Sequence, residues 1–248
     1  MAVSSTSSPS KASQEMTNKV AVITGASQGI GAALVPAYRK LGYSVVAVSR
    51  SIGSSGDPEV LAIRADLSKP GEGARVVREA LARFGRVDTL VNNAGIFVAK
   101  PFTEYTDEDF ADVTGTNLVG FFDVTRSAVG AMLENGGHVV NVSTTLVDHA
   151  LSGVPAALAS LTKGGLNAVT KSLAIEYATR NIRFNTVALG IIRTPMHAPE
   201  THEALAGLHP VGRLGEIDEV VDAITFLEQA GFVTGEILHV DGGQSAGH

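Results

Sequence analysis

The chain has 248 residues, 44% of them apolar, which is enough to bury the core of one α/β domain. Its 25 acidic residues outnumber 19 Lys and Arg for a formal charge of −6, so it lacks an electrostatic footprint for nucleic acid or an anionic membrane, and small molecules are the expected partners. The absence of cysteine removes disulfides, thiolate nucleophiles and thiolate metal sites, and suits a reducing, cytoplasmic setting.

Residues 1–18, rich in Ser and Thr and without the apolar core of a signal peptide, read as a flexible tail. No later apolar stretch reaches the roughly 20 residues that span a bilayer, because glycine, charged or polar residues break each one. From Lys19 onward, short β-branched runs alternate with longer segments of helical period, the pattern of βα units feeding a parallel sheet. Strands are predicted at 19–24, 44–49, 60–65, 88–93, 138–143, 182–188 and 236–240, and helices at about 30–41, 72–84, 107–133, 155–180 and 216–229. Most of the strands are unbroken apolar runs, so helices are expected on both faces of the sheet. This describes a single doubly wound α/β domain over 19–248 with a seven-stranded parallel sheet. Pro155 suits a helix start, where its missing N–H costs nothing. The segment between the second and third strands is too short, and too punctuated by Gly, Ser and Pro, for a crossover helix. Right-handed crossovers elsewhere gather the carboxyl ends of the strands on one edge, where such sheets bind ligands.

Directly after the first strand, Thr24-Gly25-Ala26-Ser27-Gln28-Gly29-Ile30-Gly31 makes a glycine-rich turn that opens the first helix. Gly25 permits a tight turn, Gly29 lets a diphosphate approach the backbone, and Gly31 allows close helix-to-strand packing, while the helix N-terminus offers unpaired N–H groups to phosphate. A strand before and a helix after make a dinucleotide the expected ligand. At the end of the second strand an acidic residue would bind the adenosine ribose, whereas a cation pairs with a 2′-phosphate. The chain has Ser49-Arg50-Ser51, so NADP(H) is the expected cofactor.

These features are joined by Asp66-Leu67, Asn92-Asn93-Ala94-Gly95 and Val240-Asp241-Gly242-Gly243, in an order that resembles the short-chain dehydrogenase/reductase family over about residues 19–244. The resemblance implies a Rossmann fold and a nicotinamide cofactor held by the 25–31 turn, by Asp66 and Leu67, and by Asn93, Ala94 and Gly95. It further implies contacts from Gly190, Ile192 and Thr194, in a substrate lid over about 190–212, where Leu189 stands in place of the usual Pro. It also implies a dimer or tetramer built on the helices at 107–133 and 155–180.

The family's reaction centre has an Asn, a Ser or Thr, a Tyr, and a Lys four residues after the Tyr. By resemblance Asn117 and Lys163 match the first and last, and Thr144, or Ser143 in the alternative register, supplies the hydroxyl. Lys163 is also implied to hold the nicotinamide ribose. The tyrosine position is Ala159, which cannot transfer a proton, and positioned acid–base groups typically contribute roughly 10²–10⁴ in rate. Tyr105 reads as a surface-loop aromatic. His149 and Lys163 itself are the candidate substitute acids. His197, Glu200 and His202 match no metal-ligand spacing, and Pro199 breaks the segment, so no metal is expected and these residues read as a solvated lid. The expectation is an NADPH-dependent reductase of a small imine or ketone. The alternatives are an NADP-binding sensor or scaffold without redox activity, and an ordinary carbonyl reductase in which the tyrosine has been replaced.

Overall fold

Seven runs form strands: Val20–Thr24 (β1), Ser44–Ser49 (β2), Val60–Arg64 (β3), Thr89–Asn92 (β4), Gly137–Thr144 (β5), Ile182–Leu189 (β6) and Ile237–Val240 (β7). They pair in parallel as one sheet of order β3-β2-β1-β4-β5-β6-β7. The structure is a computed structural model that describes residues 18–247, so all but the last residue of the segment 1–18, expected above to be a tail, lies outside the described residues. Between the strands run α1 (Gly29–Lys40), α2 (Glu72–Phe84), α3 (Asp107–Thr114), α4 (Phe121–Met132), α5 (Ala157–Glu176), α6 (His202–Ala206) and α7 (Ile217–Gln229).

Alternation along the central strands divides the core in two. Val20, Val22, Val46, Val48 and Leu90 face α2 and α4 through Val76, Ala80, Val124 and Met132. Ala21, Ile23, Val45, Ala47 and Val91 face α1 and α7 through Leu34, Ile224 and Leu227. Both faces are therefore buried, as unbroken apolar strands require. The chain leaves β1 toward β2 and β3, then crosses back to place β4 against the other side of β1. That reversal opens a crevice beyond the carboxyl ends of β1 and β4, where such sheets take ligands.

Two helix boundaries differ from the sequence reading. The run expected at 107–133 is divided by a π-helical stretch, Gly115–Gly120, between α3 and α4. The helix expected from Pro155 begins two residues later, with Ala156 as its N-terminal cap in a non-helical conformation. No helix among the described residues is long and apolar enough to cross a membrane.

Candidate active site

The carboxyl end of β1 is locked to that of β4 by one hydroxyl. Thr24 Oγ1 donates to Val91 O at 3.1 Å and accepts from the amides of Asn93 and Ala94, each at 3.0 Å. Asn93 Nδ2 donates back to Thr24 O at 2.9 Å. The turn that follows requires glycine twice over. Gly25 and Gly29 have φ of +69° and +56°, where a side chain is strained. At Gly31 the limit is space, because a Cβ would lie 2.3 Å from Gly25 O and 2.6 Å from Asn93 Nδ2. Gln28, the N-terminal cap of α1, is extended and makes no side-chain capping bond. First-turn N–H groups that no side chain caps, beside backbone free of Cβ atoms, suit a diphosphate.

At the adenosine end, Ser49 Oγ accepts from Ser51 N at 3.2 Å. Arg50 is exposed and makes no hydrogen bond or salt bridge among the described residues, so its guanidinium is available to a ligand. Asp66 accepts from Ser68 Oγ at 2.7 Å and from Ser68 N, and these bonds hold its carboxyl below the ordinary range despite some burial. Leu67 is buried in the core under Gly120.

Asn117 lies in the π-helical stretch and is buried. Its Oδ1 accepts from Ile96 N at 3.0 Å, and its Nδ2 donates to Ile96 O and Thr162 Oγ1, each at 3.1 Å. The carboxamide thus ties the loop after β4 to α5, and its polar atoms are engaged by protein. Lys163 Nζ donates to Val142 O at 2.8 Å and has no carboxylate partner among the described residues. Its ammonium lies over Gly95, where a Cβ would come within 2.9 Å of Nζ. Burial lowers the Lys163 pKa from 10.5 to about 8, since a charge without a counterion is disfavoured away from water.

Lys163, Ser143, Thr144 and Ala159 all line one cavity of about 470 Å³, together with Asn93, Gly95 and, from the segment after β6, Gly190, Ile192 and Thr194. Thr144 Oγ1 caps the short turn after β5 by accepting from Leu146 N at 3.3 Å, and Ser143 Oγ donates to Lys163 O at 3.3 Å. Of the proposed acids, Lys163 is brought to the cavity, whereas His149 is half-buried and outside its lining. Tyr105 is outside the lining too, donating to Val98 O at 2.8 Å. His197, read only as lid, does line the cavity, and burial followed by the nearby His202 pushes its pKa down. His202 is engaged by Arg193 and by His197 O.

The segment expected as a lid meets the scaffold near its start. Ile192 bridges Gly215, and Thr194 passes so near the glycine turn that a Cβ on Gly29 would sit 3.7 Å from it. Sequence reasoning missed Thr24, Thr162 and Gln244. Thr24 had a legible signal, as the last residue of a strand before a glycine turn. Thr162 and Gln244 had none, because Thr162 meets Asn117 from a distant segment and Gln244 reaches the cavity only through the fold.

A protein-family model described as enoyl-(acyl carrier protein) reductase matches residues 25–245. The chain is similar to the 3-oxoacyl-[acyl-carrier-protein] reductase FabG of Thermotoga maritima, 36% identical over 244 residues, covering 91% of this chain and 97% of that protein. Among solved structures, 3-ketoacyl-(acyl-carrier-protein) reductase from Brucella melitensis complexed with NADH matches with a TM-score of 0.84 at 35% identity, over 92% of this chain and 98% of that one. ElxO with NADP bound matches with a TM-score of 0.86 at 28% identity, over 93% of this chain and all (100%) of that one.

Proposed function

As this chain belongs to the short-chain dehydrogenase/reductase family, we propose that it is an NADPH-dependent oxidoreductase acting on a small imine or ketone, with a reaction centre that works without a tyrosine acid. The observation that carries this reading is the Lys163 ammonium, without a counterion and open to an apolar cavity on the helix face where Ala159 leaves room. The cofactor's diphosphate is assigned to Gly25, Ser27, Gln28, Gly29, Ile30 and Gly31. Its 2′-phosphate is assigned to Ser49, Arg50 and Ser51, and its adenine to Asp66 and Leu67. The nicotinamide half is assigned to Asn93, Ala94, Gly95 and Lys163, with Gly190, Ile192 and Thr194 from a lid over 190–212. Arg50 favours the phosphorylated cofactor because an exposed guanidinium with no hydrogen-bonded partner among the described residues, attracted only through space by Asp66, gives up little by binding phosphate. Bound there, the reduced nicotinamide supplies a hydride equivalent.

The chain's own groups supply the proton and the orientation. Lys163 holds a proton within the cavity and passes it to the substrate's oxygen or nitrogen, the resulting amine staying at Val142 O until water reprotonates it. A substrate that enters as an iminium brings its own proton and asks only for placement. Ser143 and Thr144 give the polar edge on which the reacting group is aligned, Asn117 fixes the loop and helix around it, and His197, which lines the cavity where His149 does not, is the second source of a proton. The exposed Phe110, Phe122, Leu161 and Ile175 on α3, α4 and α5 support association into a homotetramer or dimer.

The test is NADPH consumption with a panel of cyclic imines and ketones, and turnover of at least one is expected. A second reading, a nucleotide-binding protein without redox activity, draws on Ala159 alone. Tight NADPH binding without turnover of any panel member, in both the wild type and Ala159→Tyr, would establish that second reading instead.

A further inference from the structure

Apart from the edge at Lys163, Ser143 and Thr144, the cavity is walled mainly by apolar side chains such as Ile96, Phe97, Leu146, Leu151, Val154 and Met196. Two uncharged amides reach it, Asn93, whose Nδ2 is spent on Thr24 O, and Gln244. Gln244 lies on the short turn after β7, is 2% exposed and lines the cavity, yet its Oε1 has no hydrogen-bond partner. A buried acceptor without a donor is costly, and a leucine would fill the same space without that cost.

The turn is firmly held. Asp241 Oδ1 accepts from Gly243 N at 2.9 Å, while its Oδ2 accepts from Ser245 N at 2.9 Å and from Thr145 Oγ1 at 3.1 Å. These bonds tie the segment carrying Gln244 to the end of β5, beside Thr144. Gly190 closes the same region, since a Cβ there would meet Asp241 Cα at 2.9 Å. Rotation about the terminal bond of a Gln side chain is soft, so the carboxamide can turn either end toward the cavity. A fixed backbone and a buried amide at the cavity wall whose acceptor has no donor are the features of a recognition group awaiting its ligand.

We propose that Gln244 is a specificity-determining residue that accepts a hydrogen bond from a neutral N–H or O–H group of the substrate, beside the group that is reduced. This rests on the reductase reading above and narrows its substrate class to imines or ketones carrying such a donor. The donor is neutral on the substrate side because the Asp241 carboxylate that organises the turn disfavours an anion next to it, and the walls offer a cation no counterion.

Oxindole and N-methyloxindole, which differ by one N–H, are the probes, titrated by calorimetry against NADP⁺-saturated wild type, Gln244→Met and Gln244→Glu. Wild type should prefer oxindole by about fivefold to tenfold, the ordinary worth of one hydrogen bond. Gln244→Met should lose that preference, and Gln244→Glu, which keeps an acceptor, should retain it. The NADP⁺ affinity of all three should agree within twofold, which also reports that the variants are folded. Equal preference in wild type and Gln244→Met, or no preference in wild type, would overturn the role of Gln244 while leaving the reductase reading intact. Failure of wild type to take up NADP⁺ would instead overturn the reading on which it rests.

Discussion

Lys163 carries a conflict that the rest of the reaction centre is arranged around. Its ammonium is half-buried at the cavity's edge, donates to Val142 O, and has no acid to balance it among the described residues. A folded pKa of about 8 against an ordinary 10.5 means that the unfolded chain binds this proton more tightly. Stability should therefore rise with pH between about 8 and 10.5, and below pH 8 the full cost, roughly 3 kcal/mol at most, weighs against the fold. Urea unfolding of the nucleotide-free protein at pH 7 and pH 10 measures this. The wild type is expected to gain stability on going to pH 10, and Lys163→Met to be more stable than wild type at pH 7 with that pH response removed. As the proton source, Lys163 also predicts that reduction of a ketone slows as pH climbs through about 8. Chemistry of this kind is partly legible in a sequence: Lys163, Thr144 and Asn117 were matched by resemblance to the family's reaction centre, but that Asn117 spends its carboxamide on Ile96 and Thr162 needed coordinates.

Among the elements, the junction of β1, α1 and β4 is the tightest. Three backbone segments meet around Thr24, and Gly31 leaves 2.3 Å where a side chain would need more. Gly31→Ala should push α1 away from the sheet, cost roughly 1–3 kcal/mol as overpacking does, and weaken NADPH binding at least tenfold in the folded fraction. Calorimetry with a melting curve checks both; unchanged affinity would mean that the helix does not position the diphosphate. This junction was readable because glycine spacing and strand-turn-helix order are local signals. The π-helical stretch was not. One extra residue in a turn leaves the apolar period of 107–133 nearly unchanged, and its consequence, turning Asn117 inward, emerges only from packing against α5. The late start of α5 has a similar cause. Pro155 marks a helix start well by its own chemistry, yet here it stays outside as cavity wall.

Across the whole molecule, the seven parallel strands followed from runs that are apolar on both faces, and the sheet confirms each of them within one or two residues, while their order came only with the structure. What no local pattern disclosed is the clasp at the opposite edge. There Glu228 at the end of α7 receives Tyr43 OH at 2.8 Å, Thr89 Oγ1 at 3.1 Å and His138 Nδ1 at 3.0 Å, joining four segments distant in sequence. The exposed apolar side chains of α3, α4 and α5 are expected to be covered in solution. A mass measured by light scattering should be two or four times the chain's 25.6 kDa, and a single-chain mass would contradict that assembly.

Every role assigned here depends on a nicotinamide dinucleotide lying across the carboxyl edge of β1 and β4. Titration calorimetry of the folded protein with NADPH and with NADH tests that directly. One site per chain is expected, with NADPH bound more tightly and the difference abolished by Arg50→Ala. Folded protein that takes up neither nucleotide would contradict the account.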